Sequence, residues 1–185
     1  MATWFGQCNA ATGADAGGSG GLTLGQETAW LAAGYVCPGS GSQDIVTIGM
    51  EMWYSATNNI RMGIYNASGD LVVQTDAKVA NGGEEVWDDW AAGNLTWSIG
   101  TSLTGGATYR IVCAGQTGCS VFGVSLTSGD IQETSTDYTA GMPATLPAAN
   151  GWTVSTNTHV LVEPAAAGGI VPQAMIMMMY RRMRA

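Results

Sequence analysis

An all-β, two-sheet sandwich is the fold class this sequence predicts, and three observations predict it. Only 11% of the 185 residues are charged, against about 25% in an average soluble domain, and no long Leu/Lys/Glu helical pattern occurs. In residues 46–54 the side chains of Val46, Ile48, Met50, Met52 and Tyr54 alternate with Thr47, Gly49, Glu51 and Trp53, the period-two signal of a strand with one buried face. Turn sequences rich in Gly, Asn, Asp and Pro then recur between short apolar runs along most of the chain. A single chain of 19.1 kDa buries roughly 70% of its unfolded surface on folding, so one core without staples is the default.

Taken in order, residues 1–21 are rich in Gly, Ala and Ser and too poor in bulky apolar groups to build a core, which reads as a linker or arm. Residues 22–24 and 30–37 (WLAAGYVC) read as entry strands, closed by the turn PGSGS at 38–42. Next comes the stretch around which the chain is organised. Residues 46–54, the turn SATNN, residues 60–64, the turn NASGD and residues 71–73 read as three strands in two successive hairpins, a meander. Beyond the loop at 81–85 follow strands at 86–90 (VWDDW), 95–99, 108–114 and 119–126, an irregular loop at 127–149, and closing strands at 152–154 and 159–162. Eight to ten strands with turns between them describe a sandwich of jelly-roll type over 22–163. Extended N- and C-terminal arms flank it, at 1–21 and 164–185.

Charge narrows the function classes. Of six basic residues, Arg181, Arg182 and Arg184 stand in the last five positions, leaving Arg61, Lys78 and Arg110 against all 14 acids. A body so acidic does not bind nucleic acid by releasing counterions. The first residues show no basic segment followed by an apolar one, so no secretory signal is expected. The longest apolar run, 174–180, falls far short of the roughly 20 residues of a membrane span. Cys8, Cys37, Cys113 and Cys119 lack CxxC spacing, and in a reducing compartment free, mostly buried thiols are expected. Cys113 and Cys119 flank the turn sequence AGQTG, and a disulfide across a hairpin there is the alternative.

A resemblance rests on the order of features in 30–123. An entry strand is followed by a strand ending MWYS, then RMGIYNASGDLV, a Trp pair in VWDDW, and SLTGGATYRIV; GMPATLP at 141–147 comes later. This order resembles jelly-roll modules of bacteriophage virion and tail-fibre proteins and of bacterial surface proteins. The motifs are structural rather than catalytic. The resemblance implies a bacteriophage structural protein displayed on the virion, as capsid decoration, head fibre or tail-associated component, made in the host cytoplasm. Its partners would be other virion proteins and further copies of itself, with no nucleic acid, membrane, cofactor or catalysis. The alternative it implies is a carbohydrate-binding, receptor-recognition module engaging a host-surface glycan.

The C-terminal segment is the candidate partner-binding arm. After the small-residue hinge EPAAAGG come Ile170, Met175, Ile176, Met177, Met178, Met179 and Tyr180, then Arg181, Arg182 and Arg184. Unbranched, polarizable Met side chains adapt to irregular surfaces, which suits docking on a partner. The 22 residues beyond Glu163 reach on the order of 70 Å when extended. As a helix or an added strand, the segment would bury its Met/Ile row and offer the Arg cluster to acidic groups.

Other candidate sites are weaker. GGSGG at 17–21 matches the GxSxG pattern, and His159 is the sole histidine, but no strand and helix flank Ser19 as a nucleophile elbow requires. One histidine and four scattered cysteines make a poor zinc set. Glu84, Glu85, Asp88 and Asp89 surround Trp87 and Trp90 near Asn81 and read first as solvated loop charge. Calcium ligation is a second reading, and a sugar platform of Trp90 with Asp88 and Asp89 a third. Trp87 is expected in the core.

Overall fold

A computed structural model describes residues 1–14, 19–23, 29–54, 58–81, 86–91, 97–99, 101–116, 119–125, 141–146 and 154–166. Among these residues the chain forms strands and no helix. In order they are β1 (Thr3–Gln7), β2 (Ser19–Thr23), β3 (Ala29–Val36), β4 (Gly41–Tyr54), β5 (Asn59–Asn66), β6 (Leu71–Thr75) and β7 (Lys78–Val79). There follow β8 (Val86–Ala91), β9 (Trp97–Ile99), β10 (Ser102–Gly105), β11 (Thr108–Gly115), β12 (Ser120–Ser125), β13 (Val154–Thr156) and β14 (Thr158–Pro164).

Two antiparallel sheets pack face to face as the predicted sandwich. The larger runs β1-β14-β4-β12-β13, with β8 and β10 along the other side of β4 and β2 beside β12; the smaller runs β3-β11-β5-β6-β9, with β7 beside β5. Between them lies a core in which Ile48, Met50, Met52, Met62, Ile64 and Val160 have no solvent exposure. Each such side chain contributes about 1.5–3 kcal/mol of burial, offset largely by the entropy of ordering the chain.

The alternation read at 46–54 is correct from Ile48 to Met52 and breaks at Val46 for a physical reason. Leu161 pairs with Thr47 but Val162 with Ile45, so Val46 is an extra residue with no partner on β14. This β-bulge turns Ile45, not Val46, into the core.

The meander needs correction. β4 and β5 belong to different sheets, so SATNN joins strands that cross the sandwich and does not close a hairpin. The second hairpin is present: β5 pairs with β6, and its turn is held by Asn66 N donating to Asp70 O (2.9 Å) and Gly69 N to Asn66 O (3.0 Å). The stretch expected as an N-terminal linker or arm supplies β1, against β14, and the start of β2, against β12, which continues into the expected entry strand at 22–24. Phe5, opposite Val160, brings it into the core. Residues 141–146, inside the long loop, lie on the outer face of the smaller sheet, where Tyr65 Oη donates to Pro143 O (2.9 Å) and Leu146 N to Gly69 O (2.7 Å).

None of the four cysteines is disulfide-bonded. Cys113 sits in β11 of one sheet and Cys119 precedes β12 of the other, so the alternative of a hairpin between them does not hold. Burial pushes the Cys8 and Cys37 thiols up to about 11. At pH 8 iodoacetamide should therefore label these two in the folded protein about a hundredfold more slowly than in the denatured chain, because only the thiolate reacts. The rate should climb about tenfold per pH unit up to pH 10; mass spectrometry showing equal folded and denatured rates at pH 8 would contradict this.

Candidate functional site

The most elaborate polar constellation lies on the outer face of the larger sheet, and strand register assembles it. Paired residues on neighbouring strands share a face. Gly6, His159, Gly49 and Asp89 therefore form one row across β1, β14, β4 and β8. His159 and Asp89 flank Gly49 from opposite sides, and the missing side chain lets them meet: Nε2 lies 2.7 Å from Asp89 Oδ1. A Cβ at Gly49 would collide with both groups.

Aromatic rings close the faces of the imidazole. Trp87, one pleat along β8, stacks on His159 with centroids 4.0 Å apart and planes 2° from parallel. Trp4, on β1, packs at 4.6 Å with planes tilted by 48°. The loop at 8–14 then folds back over this face. Asn9 N donates to Ala14 O (2.8 Å) and Gly13 N to Asn9 O (2.7 Å), which closes the loop on itself. Gly13, at φ +70°, presses against the Trp4 indole where a Cβ would not fit, and its carbonyl lies 2.6 Å from His159 Nδ1. His159 is 5% exposed. On the same face the buried Glu51 accepts a 2.7 Å hydrogen bond from Asn157 Nδ2.

The acidic cluster around Trp87 is arranged opposite to expectation. Asp88, expected in solvent, pairs with Met50 in the register and points to the core side of β8, with no exposure. It is tolerated there because Lys78 Nζ lies 2.8 Å from its Oδ1 and Asn81 donates through N (3.0 Å) and Nδ2 (2.8 Å). Since β7 and β8 belong to different sheets, this ion pair fastens the two together. Trp87, expected in the core, stands on the outer face because the two-residue period that puts Asp88 inside puts its neighbours outside.

Of the remaining sequence candidates, Asp89 is half exposed and bound to His159. Trp90 has its backbone in β8, and its side chain is not among the described groups. Ile170, Met175, Ile176, Met177, Met178, Met179, Tyr180, Arg181, Arg182 and Arg184 lie outside the described residues. Sequence reasoning set His159 aside and missed Trp4, Gly13, Gly49 and Asn157. The only linear signals for the two clusters are that the chain holds one histidine and one lysine. Among the described residues no group of three or more His, Cys, Asp or Glu side chains is placed to hold a metal ion.

Chemically, a His–Asp pair has the makings of a general base, but both ring nitrogens are engaged, one by a main-chain carbonyl, and neither faces a hydroxyl or thiol. As built, the cluster binds pieces of the fold to one another. No protein-family model matches the chain, and a search of curated proteins finds no match either.

Proposed function

We propose that the chain is a non-catalytic structural protein of a bacteriophage virion, a capsid-decoration, head-fibre or tail-associated component. In this reading the sandwich is the displayed body, and the segment from Ile170 to Arg184 docks on neighbouring subunits. One observation carries the proposal: the segment that follows β14 differs in chemistry from the acidic body ahead of it. Residues 164–185 hold five of the ten methionines and half of the basic residues, and all 14 acids stand ahead of them. A Met/Arg-rich segment following an acidic body has the chemistry of a docking element.

The place of departure fits the same reading. β14 runs antiparallel to β1, with Thr3 opposite Val162, so the start of the chain and the end of β14 lie at one end of the sandwich. A tail leaving there starts beside β1, an edge strand among the described residues. The engagement of His159 and Asp89 within the fold, and the pairing of the buried Asp88 with Lys78, support a structural over a catalytic role. Removing residues 168–185 is expected to convert an assembled chain into a folded monomer, read as solution mass by light scattering.

A further inference from the structure

The surroundings of His159 select a ring that carries protons on both nitrogens. Gly13 O, 2.6 Å from Nδ1, can only accept, and the Asp89 carboxylate, 2.7 Å from Nε2, accepts when ionised. With Asp89 ionised, both contacts are satisfied together only by the imidazolium. Its faces meet two indoles at 4.0 and 4.6 Å, an arrangement that attracts a cation through the ring quadrupoles.

We propose that His159 is a protonation-operated latch that fastens the loop at 8–14 to the outer face of the larger sheet. The doubly protonated ring bonds Gly13 and Asp89 at once. When one proton leaves, the carboxylate, as the stronger acceptor, keeps the other on Nε2. The Nδ1 lone pair then faces the Gly13 carbonyl oxygen, two acceptors in contact, and the loop detaches.

The groups that bear on the ring come from every element packed around it. β8 contributes Asp89, with Asp88 on its opposite face held by Lys78 of β7. Lys78 Nζ also donates to the Asp89 main-chain oxygen at 3.0 Å. β4 contributes Glu51, bonded by Asn157, and β14 carries Glu163 further along the same face. β1 holds no charged side chain, and in the loop the titratable group is Cys8, whose thiol burial keeps protonated.

The test uses the full-length, ¹⁵N-labelled protein and follows two signals as pH is raised: the ring nitrogens of the sole histidine, and the exchange protection of the Asn9 and Gly13 amides. Both ring nitrogens should carry protons while the amides are protected. Protection factors should then fall roughly tenfold, the worth of one charge-assisted hydrogen bond, over the same pH interval in which the ring loses a proton. In His159→Gln the drop should vanish. In Asp89→Asn, which removes the carboxylate, the ring transition and the drop should move together to lower pH. A ring with a bare nitrogen at every pH, protection that stays constant through ring deprotonation, or a drop that survives in His159→Gln would each overturn the latch. If His159→Gln fails to fold, the wild-type and Asp89→Asn titrations decide alone.

Discussion

Gly49→Ala should destabilise the fold by about 3 kcal/mol, a large effect for one methyl group. β4 is paired along both sides at this point, with β14 and β8, so its backbone cannot move the new Cβ away. Something on the outer face has to yield. His159 is wedged between Trp4 and Trp87, leaving the half-exposed Asp89 to swing out. That strands a buried ring N–H without its acceptor, costing about 1.5–3 kcal/mol, on top of about 1–3 kcal/mol of overpacking. The matched control is Gly34→Ala in β3. A Cβ there meets Thr108 Cγ2 at an ordinary 3.5 Å, so it should change stability by no more than about 0.5 kcal/mol, with a gain possible from the stiffer unfolded chain. Urea unfolding of both variants checks the pair. Equal stabilities would show that Gly49 is not the gap through which histidine and aspartate meet.

Lys78→Met should cost about 2–3 kcal/mol, well above the usual value of a surface ion pair. The reason is its partner: Asp88 has no exposure and would keep only the Asn81 donors. Lys78 itself is 20% exposed, which places the expected cost below that of a fully buried pair. Lys78→Met combined with Asp88→Leu should recover most of the loss, since an apolar pair removes the uncompensated charge instead of stranding it. The penalty of the single variant should also change little between low and high salt. A cost under about 0.5 kcal/mol, or one that disappears in salt, would mean that the pair behaves as exposed and does not clip the sheets together.

How far the sequence reaches is clearest from β4 and β5. Positions 48, 50, 52, 60, 62 and 64 were legible as core because a strand with one buried face must alternate. Which sheet each strand joins was not legible. Alternation is the same for a hairpin and for two strands that face each other across a core, so SATNN read as a hairpin turn. The neighbours that decide the matter, β14 and β8, lie far along the chain from β4. The bulge at Val46 is invisible for the same reason, since it exists only relative to β14.

The outer-face cluster was less legible still. Trp4, Gly13, Gly49, Trp87, Asp89 and His159 share no linear spacing and meet only through the register of four strands. At Trp87 and Asp88 hydropathy pointed the wrong way, because it ranks each residue alone. Asp88 is held inside largely by Lys78, the single lysine of the chain, ten positions earlier. That solitary cation near an acidic run was the one available hint.

The most direct measurement is the solution mass of the full-length chain beside a truncation ending at Ala167, by light scattering at matched concentration, with circular dichroism to confirm that both are folded sandwiches. An oligomer for the full chain and a folded monomer for the truncation is the expected result, with the difference carried by Met175 to Arg184. Two identical folded monomers would contradict it: the segment would then serve its own domain, and assembly through the terminal arm would have to be abandoned.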